Sequence, residues 1–308
     1  MQIQWFPGHM HKAAKAVRET LPTVDILIEV LDARIPFSSQ NPMIAELMGD
    51  KPCIKLLNKS DLADPALTEI WQKHLEQNSN IQTLATNVKT TNSLRQITDL
   101  CHKLIPNKGG EDDYRNIHAM IIGIPNVGKS TLINSLAGRT IAKTGNEPAV
   151  TKHQQRIKLE HGITLIDTPG MLWPKIEHEN SGYRLAATGA IRETATDNTD
   201  VAFATADYLL EVYPQSLLDR YQLSEVPESA LELIESIGRL RGSLRAGGGV
   251  LLEKASNILI TELRSGVLGE VTLEDPKRVE VEIAEVIVAR EEKRLRDEKR
   301  KKKFKSKR

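Results

Sequence analysis

The chain predicts an α/β protein: a mostly parallel sheet flanked by helices, followed by a small all-helical C-terminal domain. Three observations carry this reading. Apolar runs of strand length recur before residue 170, at Cys53-Ile-Lys-Leu-Leu57, at Ala119-Met-Ile-Ile122 and at Ile163-Thr-Leu-Ile166, and each leads into glycine or short polar residues. One of them runs through a glycine-rich turn into the residues Ser130 to Leu136, which read as a helix. Beyond Glu177 the apolar spacing changes to three and four residues, in Asp207 to Glu211, Glu228 to Leu240, Leu251 to Leu263 and Pro276 to Ala289.

The glycine-rich turn is Gly123-Ile-Pro-Asn126-Val127-Gly128-Lys129-Ser130-Thr131, which fills every position of G-x-x-x-x-G-K-[ST]. Glycines there let backbone N–H groups curl around phosphates, the lysine neutralises the outer phosphates, and the hydroxyl ligates magnesium. A strand, such a loop and a helix N-terminus together make an anion site. A second signature, Asp167-Thr-Pro-Gly170, closes an apolar strand. Its aspartate is expected to hold magnesium through a water, and its glycine N–H to meet a γ-phosphate.

The third signature is Asn58-Lys59-Ser60-Asp61, directly after the strand at Cys53. A carboxylate at Asp61 accepts from both N1–H and the exocyclic amine of guanine, a donor pair that adenine lacks. Asn58 is expected to tie neighbouring loops together, and the stem of Lys59 to pack on the base. Thr86 and Asn87, in Leu84-Ala-Thr-Asn-Val88, stand where a further guanine-contacting loop should follow a strand. Thr151 is the candidate for a switch threonine on magnesium; Thr140 and Thr144 sit too close to the helix after the phosphate loop. The base-reading motif thus precedes the phosphate loop in the chain. That order predicts a circularly permuted P-loop GTPase domain, in which one six-stranded sheet is threaded from a different start. The expected divisions are 1–176 for this domain, 177–289 for a helical domain and 290–308 for a basic, disordered tail.

Composition sets further bounds. The 308 residues suffice for a GTPase domain of about 170 and a second domain of about 100. Two cysteines, Cys53 and Cys101, give neither a disulfide framework nor metal-ligand spacing and read as buried thiols in a reducing compartment. The absence of a leader pattern or a long apolar run predicts a soluble, cytoplasmic protein with no membrane partner. A net charge of +1 hides an asymmetry: residues 290–308 carry twelve Lys or Arg against Glu291, Glu292, Asp297 and Glu298. Such a cationic arm neutralises nucleic-acid phosphates, unless it is only a solubilising end. Arg239, Arg241, Arg245, Lys254, Arg264 and Lys277 read either as a second basic patch or as a solvated face, and Gly247-Gly-Gly249 as a flexible joint between helices.

Trp5-Phe-Pro-Gly-His9-Met10, Asp32-Ala-Arg-Ile-Pro36, Ser38-Ser-Gln-Asn-Pro42, the permuted motifs and the helical C-terminal region together resemble the bacterial ribosome biogenesis GTPase A family over nearly the whole chain. The resemblance implies an enzyme that binds a late precursor of the large ribosomal subunit, through rRNA and ribosomal proteins, with the helical domain 177–289 as its RNA-contacting module; a monomer is expected. It also implies stimulation of GTP hydrolysis by that particle, with GTP/GDP and Mg2+ as bound species. Ras-like enzymes place a water-orienting glutamine after Asp-x-x-Gly, where this chain has Met171 and Leu172. The resemblance points instead to His9 as the catalytic group, the alternative being that His9 packs beside Trp5 or Phe6. Asn126 resembles the phosphate-loop asparagine of potassium-activated GTPases, whose side-chain oxygen helps hold K+ where an arginine would otherwise spread charge; a loop-stabilising hydrogen bond is the alternative. An RNA-binding scaffold with a structural nucleotide, or a permuted GTPase of the small subunit, would be the competing functions. Relatives of the latter kind often carry a zinc cluster or an N-terminal OB barrel, and neither is evident here.

Overall fold

The computed structural model describes residues 6–87, 91–108, 116–141, 154–176 and 178–305. Six strands form one sheet: β1 (Ile26–Asp32), β2 (Cys53–Asn58), β3 (Ile81–Thr86), β4 (Ile117–Gly123), β5 (Gln155–Lys158) and β6 (Ile163–Asp167). Their order is β3-β2-β1-β4-β6-β5, parallel throughout except for β5, which runs antiparallel to β6 at the edge. Every residue of β1, β2 and β6 is buried. Parallel strands covered by helices on both faces read as continuous apolar runs, which is why β2, β4 and β6 were legible as such, whereas β1, buried along its whole length, was not read. A charged pair inside the sheet, Glu29 and Lys55, sits at matched register positions of β1 and β2 and closes to 3.2 Å.

Helices α1 (Gly8–Thr20), α2 (Pro42–Met48), α3 (Pro65–Leu75), α4 (Thr91–Leu104) and α5 (Lys129–Leu136) connect and flank these strands. Several begin on explicit caps. Asn41 accepts from Met43 N ahead of α2, Asp64 accepts from Ala66 N and Leu67 N ahead of α3, and in each case proline occupies the first turn. Chain connections leave β1 toward β2 and β3 on one side, and β4 toward β6 on the other. The crevice between β1 and β4 is therefore the topological switch point, where open α/β sheets bind ligands at their carboxyl ends.

Six helices follow: α6 (Glu179–Ala187), α7 (Asn198–Val212), α8 (Pro214–Tyr221), α9 (Ala230–Leu240), α10 (Leu252–Ser265) and α11 (Pro276–Lys305). Asp197 caps α7 and Ser229 caps α9. Gly238 is required on α9 because a Cβ there would lie 2.3 Å from Val250 Cγ1. The Gly247-Gly-Gly249 segment differs from the expected flexible joint. Leu244 and Val250 pair across it, Arg245 N donates to Gly249 O, and the triplet forms a closed turn.

The basic tail is also corrected. The expected disordered segment from 290 continues α11 to Lys305, so 289/290 is no structural boundary. Ion pairs Arg294–Glu291 and Arg296–Glu292 span one turn of it, the spacing that supports a solvated helix.

The C-terminal region does not end as a separate body. Its segment 271–283 returns to the sheet domain. Glu274, fully buried, accepts from Phe37 N and from the amide and hydroxyl of Ser38, and it faces Arg184 Nη1 at 3.4 Å. Arg184 also forks onto Glu282 at 2.7 and 2.8 Å, and Trp71 Nε1 donates to Glu274 O. Burial pushes the Glu274 carboxyl up from its ordinary value, against the pull of Arg184. Val279 of α11 completes a second core with Leu31, Leu57, Trp71 and Leu75. Glu274→Ala would strip the acceptor from two buried amides and a buried hydroxyl, and is expected to cost about 2–4 kcal/mol, read from the urea midpoint.

Candidate functional site

Register places every sequence motif on one edge of the sheet. Asp32 pairs with Asn58, Asn58 with Thr86, Val30 with Gly123, and Ile121 with Asp167. Residues scattered from 32 to 167 thus meet at the carboxyl ends of five strands, across the switch point.

The phosphate loop leaves β4 at Gly123, where a Cβ would approach Val30 O to 2.7 Å. Asn126 and Gly128 both take positive φ, 58° and 95°, and Gly128 caps α5. The Asn58 amide donates to Val127 O at 2.7 Å, so β2 and the phosphate loop are joined directly. A Cβ at position 128 would stand 2.3 Å from Asn58 Nδ2, which excludes every side chain there. Lys129 is buried and lies 3.5 Å from Asp167 Oδ1; burial lowers its ammonium, against the attraction of Asp167. Ser130 is half-buried and Thr131 exposed in the first turn of α5. Thr168 Oγ1 donates to Ile121 O, locking the Asp167 turn onto β4, and Gly170 presses on the loop with its would-be Cβ 3.1 Å from Pro125 Cα.

At the other end, Lys59 takes the left-handed conformation, φ 60°, and a 3₁₀ turn at Ser60–Leu62 follows. Ser60 is half-buried and Asp61 exposed. Lys59 Nζ reaches Asp32 Oδ2 at 2.8 Å, and Arg34 forks onto the same carboxylate at 2.9 and 2.8 Å. Burial opposes ionisation of Asp32, but the charges of Arg34 and Lys59 outweigh it and hold the carboxyl well below its usual range. Asp61 adds to the field on Arg34. Thr86 is buried and Asn87 half-buried at the mouth of β3. Among the described residues, Asn58 Oδ1 and Thr86 Oγ1 are buried with no hydrogen-bond partner. Buried acceptors and hydroxyls are normally satisfied, so these two fit a bound nucleotide that supplies or orders a donor.

Three expectations need separate comment. Thr151, the switch threonine candidate, lies outside the described residues. His9 is exposed in the first turn of α1, and it is His11 whose ring meets Phe6 edge-on at 4.4 Å. The neighbouring Met10 is fully buried and its Sδ lies 3.5 Å from Leu172 N, which brings the start of α1 beside the Asp167 turn. The Asn126 amide nitrogen donates to Gly189 O at 2.8 Å, just beyond α6.

Sequence reasoning missed roles for Asp32, Arg34 and Asn41. Asn41 donates to Met171 O while its backbone N–H donates to Glu29, which fixes the residue after the Asp-x-x-Gly turn. Charged residues closing a buried apolar strand, as in Leu31-Asp32-Ala33-Arg34, were the available signal. Of the basic residues beyond 239, Arg239 pairs with Glu235, Arg241 with Glu262, and Arg264 with Glu193, so these three serve intramolecular contacts.

A sheet whose base-reading loop is threaded before its phosphate loop, with both ends meeting at one switch point, is that of a circularly permuted P-loop GTPase. The family described as 50S ribosome-binding GTPase matches residues 118–235. Ribosome biogenesis GTPase A of Priestia megaterium is 46% identical over 286 residues, covering 91% of this chain and 99% of that protein. Two solved structures of YlqF superpose. The GDP-bound one has a TM-score of 0.63 at 26% identity and covers 85% of this chain and 99% of its own. The GNP-bound one, from T. maritima, scores 0.61 at 26% identity and covers 87% and 99%. The chain belongs to the ribosome biogenesis GTPase A family and is a GTP hydrolase.

Gly128→Ala is expected to abolish GTP and GDP binding in a titration of fluorescent nucleotide while the far-UV spectrum is retained, because the added methyl collides with Asn58 and opposes a positive φ. Asp32→Asn leaves buried Arg34 and half-buried Lys59 without their counter-charge and is expected to cost about 3 kcal/mol at pH 7. A depressed folded pKa contributes stability above the unfolded value near 4 and loses it as pH falls through the folded one. The gap between variant and parent in urea titrations should therefore narrow below about pH 4.

Proposed function

We propose that this GTPase acts on a late precursor of the large ribosomal subunit, binding rRNA and ribosomal proteins, and that the particle stimulates hydrolysis of GTP to GDP and phosphate before the enzyme leaves. The family's description, which names the 50S ribosome as what its members bind, supports this reading. The single structural observation behind it is the position of Gly170. This glycine rests on the phosphate loop, and Met171 and Leu172 after it are gripped by Asn41 and Met10 on the way to α6. Nucleotide state at the loop is thereby wired to the helices offered to the particle. The enzyme would work as a monomer in the cytoplasm.

In this reading the backbone from Asn126 to Thr131 cradles the phosphates, Lys129 neutralises the outer ones, and Gly170 N–H meets the γ-phosphate. Ser130, Asp167 and Thr151 would hold Mg2+, and such an ion would supply neutralisation of the phosphate charge. Incoming phosphate repays the desolvation of buried Lys129. Asp61 reads guanine, Lys59 lays its stem on the base from a turn pinned by Asp32, and Asn58 with Thr86 and Asn87 shapes the pocket wall. His9 orients the attacking water. It stands one residue from Met10, so a small shift of the first turn of α1 carries the imidazole toward the Asp167 turn. Asn126 would lend its side-chain oxygen to K+, a cation that would supply charge where an arginine otherwise does. The cationic half of α11 contacts RNA phosphates.

Turnover of GTP measured with and without precursor large subunits tests substrate, partner and activation together: a rise of at least tenfold is expected with the particle, and an unchanged rate would sink the reading. In the same assay His9→Ala should lose about 10²- to 10⁴-fold of the stimulated rate, the range for a positioned acid–base group, while still cosedimenting with the particle.

A further inference from the structure

Asn126 leaves the phosphate loop in the direction of the helical domain, and its partner there is unusually well fixed. Gly189 follows α6 with φ 83°. Ala190 N donates to Leu185 O and Gly189 N to Ala186 O, the paired bonds of a Schellman ending. Those bonds set the plane of the Gly189 peptide and therefore the aim of its carbonyl.

A third element holds that ending. Arg264, on the last turn of α10, donates from Nε to Ala187 O and from Nη2 to Ala186 O, each at 2.9 Å, and its third nitrogen pairs with Glu193 at 2.5 Å. Its guanidinium also lies beside Gly189, 3.6 Å from where a Cβ would be. A cation forking onto the last carbonyls of a helix satisfies orphan acceptors and the negative end of the helix dipole together. The end of the same helix also rests on the turn after the base-reading loop, where a Cβ at Gly266 would stand 2.6 Å from Leu62 Cδ2. One residue of α10 thus braces the segment that grips the phosphate loop.

The orientation of the Asn126 amide follows. A carbonyl oxygen only accepts, so the atom facing Gly189 O is the nitrogen, and the amide oxygen is turned to the opposite side. With the backbone of Asn126 fixed at φ 58°, the side chain is ordered before any ion arrives, and pre-ordering a ligand lowers the entropic cost of binding.

We propose that Arg264 is a positioning residue for the monovalent-cation site: through the end of α6 and the carbonyl of Gly189 it holds Asn126 in the orientation that ligates K+, so that potassium activation depends on the packing of the helical domain. This rests on the reading of Asn126 as a K+ ligand given above. Movement of α10 when the domain meets its partner particle would change the affinity for K+, and with it the rate.

The test is GTP turnover by the full chain over a KCl series at constant ionic strength, with NaCl as the balancing salt. The parent, Arg264→Ala, Arg264→Lys and the milder Glu193→Gln are compared. The K+ concentration for half-activation is expected to rise about three- to tenfold in Arg264→Ala, the range for one or two lost net hydrogen bonds. Smaller rises are expected in Arg264→Lys, which keeps the charge but cannot fork, and in Glu193→Gln, which keeps the fold if the alanine variant does not. Rates lowered equally in both salts, with half-activation unmoved, would show a merely structural role and overturn the proposal. Equal parent rates in KCl and NaCl would overturn the K+ reading itself, and the proposal with it.

Discussion

The bond from the Asn58 amide to Val127 O is the contact on which the site depends. It spans the two ends of the candidate nucleotide cleft, and it is possible only because residue 128 has no Cβ. A permuted chain carries these ends on segments made at different times: the base-reading loop is complete before the phosphate loop exists. Parallel pairing of β1 with both β2 and β4 brings them into register, and one side-chain hydrogen bond then fixes their spacing. The candidate nucleotide-contacting residues, from Lys59 to Lys129, lie on the two segments that this junction joins.

Charge is managed by the same economy. Asp32 sits at the end of a fully buried strand and would be costly to ionise alone, yet two cations converge on it. The result is a turn at Lys59 tied to the end of β1. A comparable knot at Glu274, Arg184 and Glu282 joins the last helix to the loop after β1. The helical region is therefore fastened at both ends of the cleft: at the phosphate end through Gly189, and at the base end through Val271 N on Leu62 O and Thr272 Oγ1 beneath Asp64 N.

The buried strands and the phosphate loop were legible in the sequence because their physics is local. An apolar run of strand length and a glycine that must turn need no distant partner to be recognised. The strand at Cys53 and the helices at Glu228 and Leu251 were found within a few residues of their observed limits for that reason. What could not be read was pairing. Nothing near Asn126 names Gly189, and nothing near Phe37 names Glu274, because those contacts join residues far apart in the chain. The tail failed differently: a run of like charge suggested repulsion, whereas glutamates one turn away from Arg294 and Arg296 favour a helix.

That helix has a mechanical consequence. Thirty residues at about 1.5 Å each make a rod of about 45 Å, of which only the first two turns lie on the body. A random coil of equal charge would sample a sphere and give up its freedom on contact. A rod samples a direction. Its base is the knot at Glu274 and Arg184, so a torque applied along it is delivered to the seam between the sheet domain and the helical region.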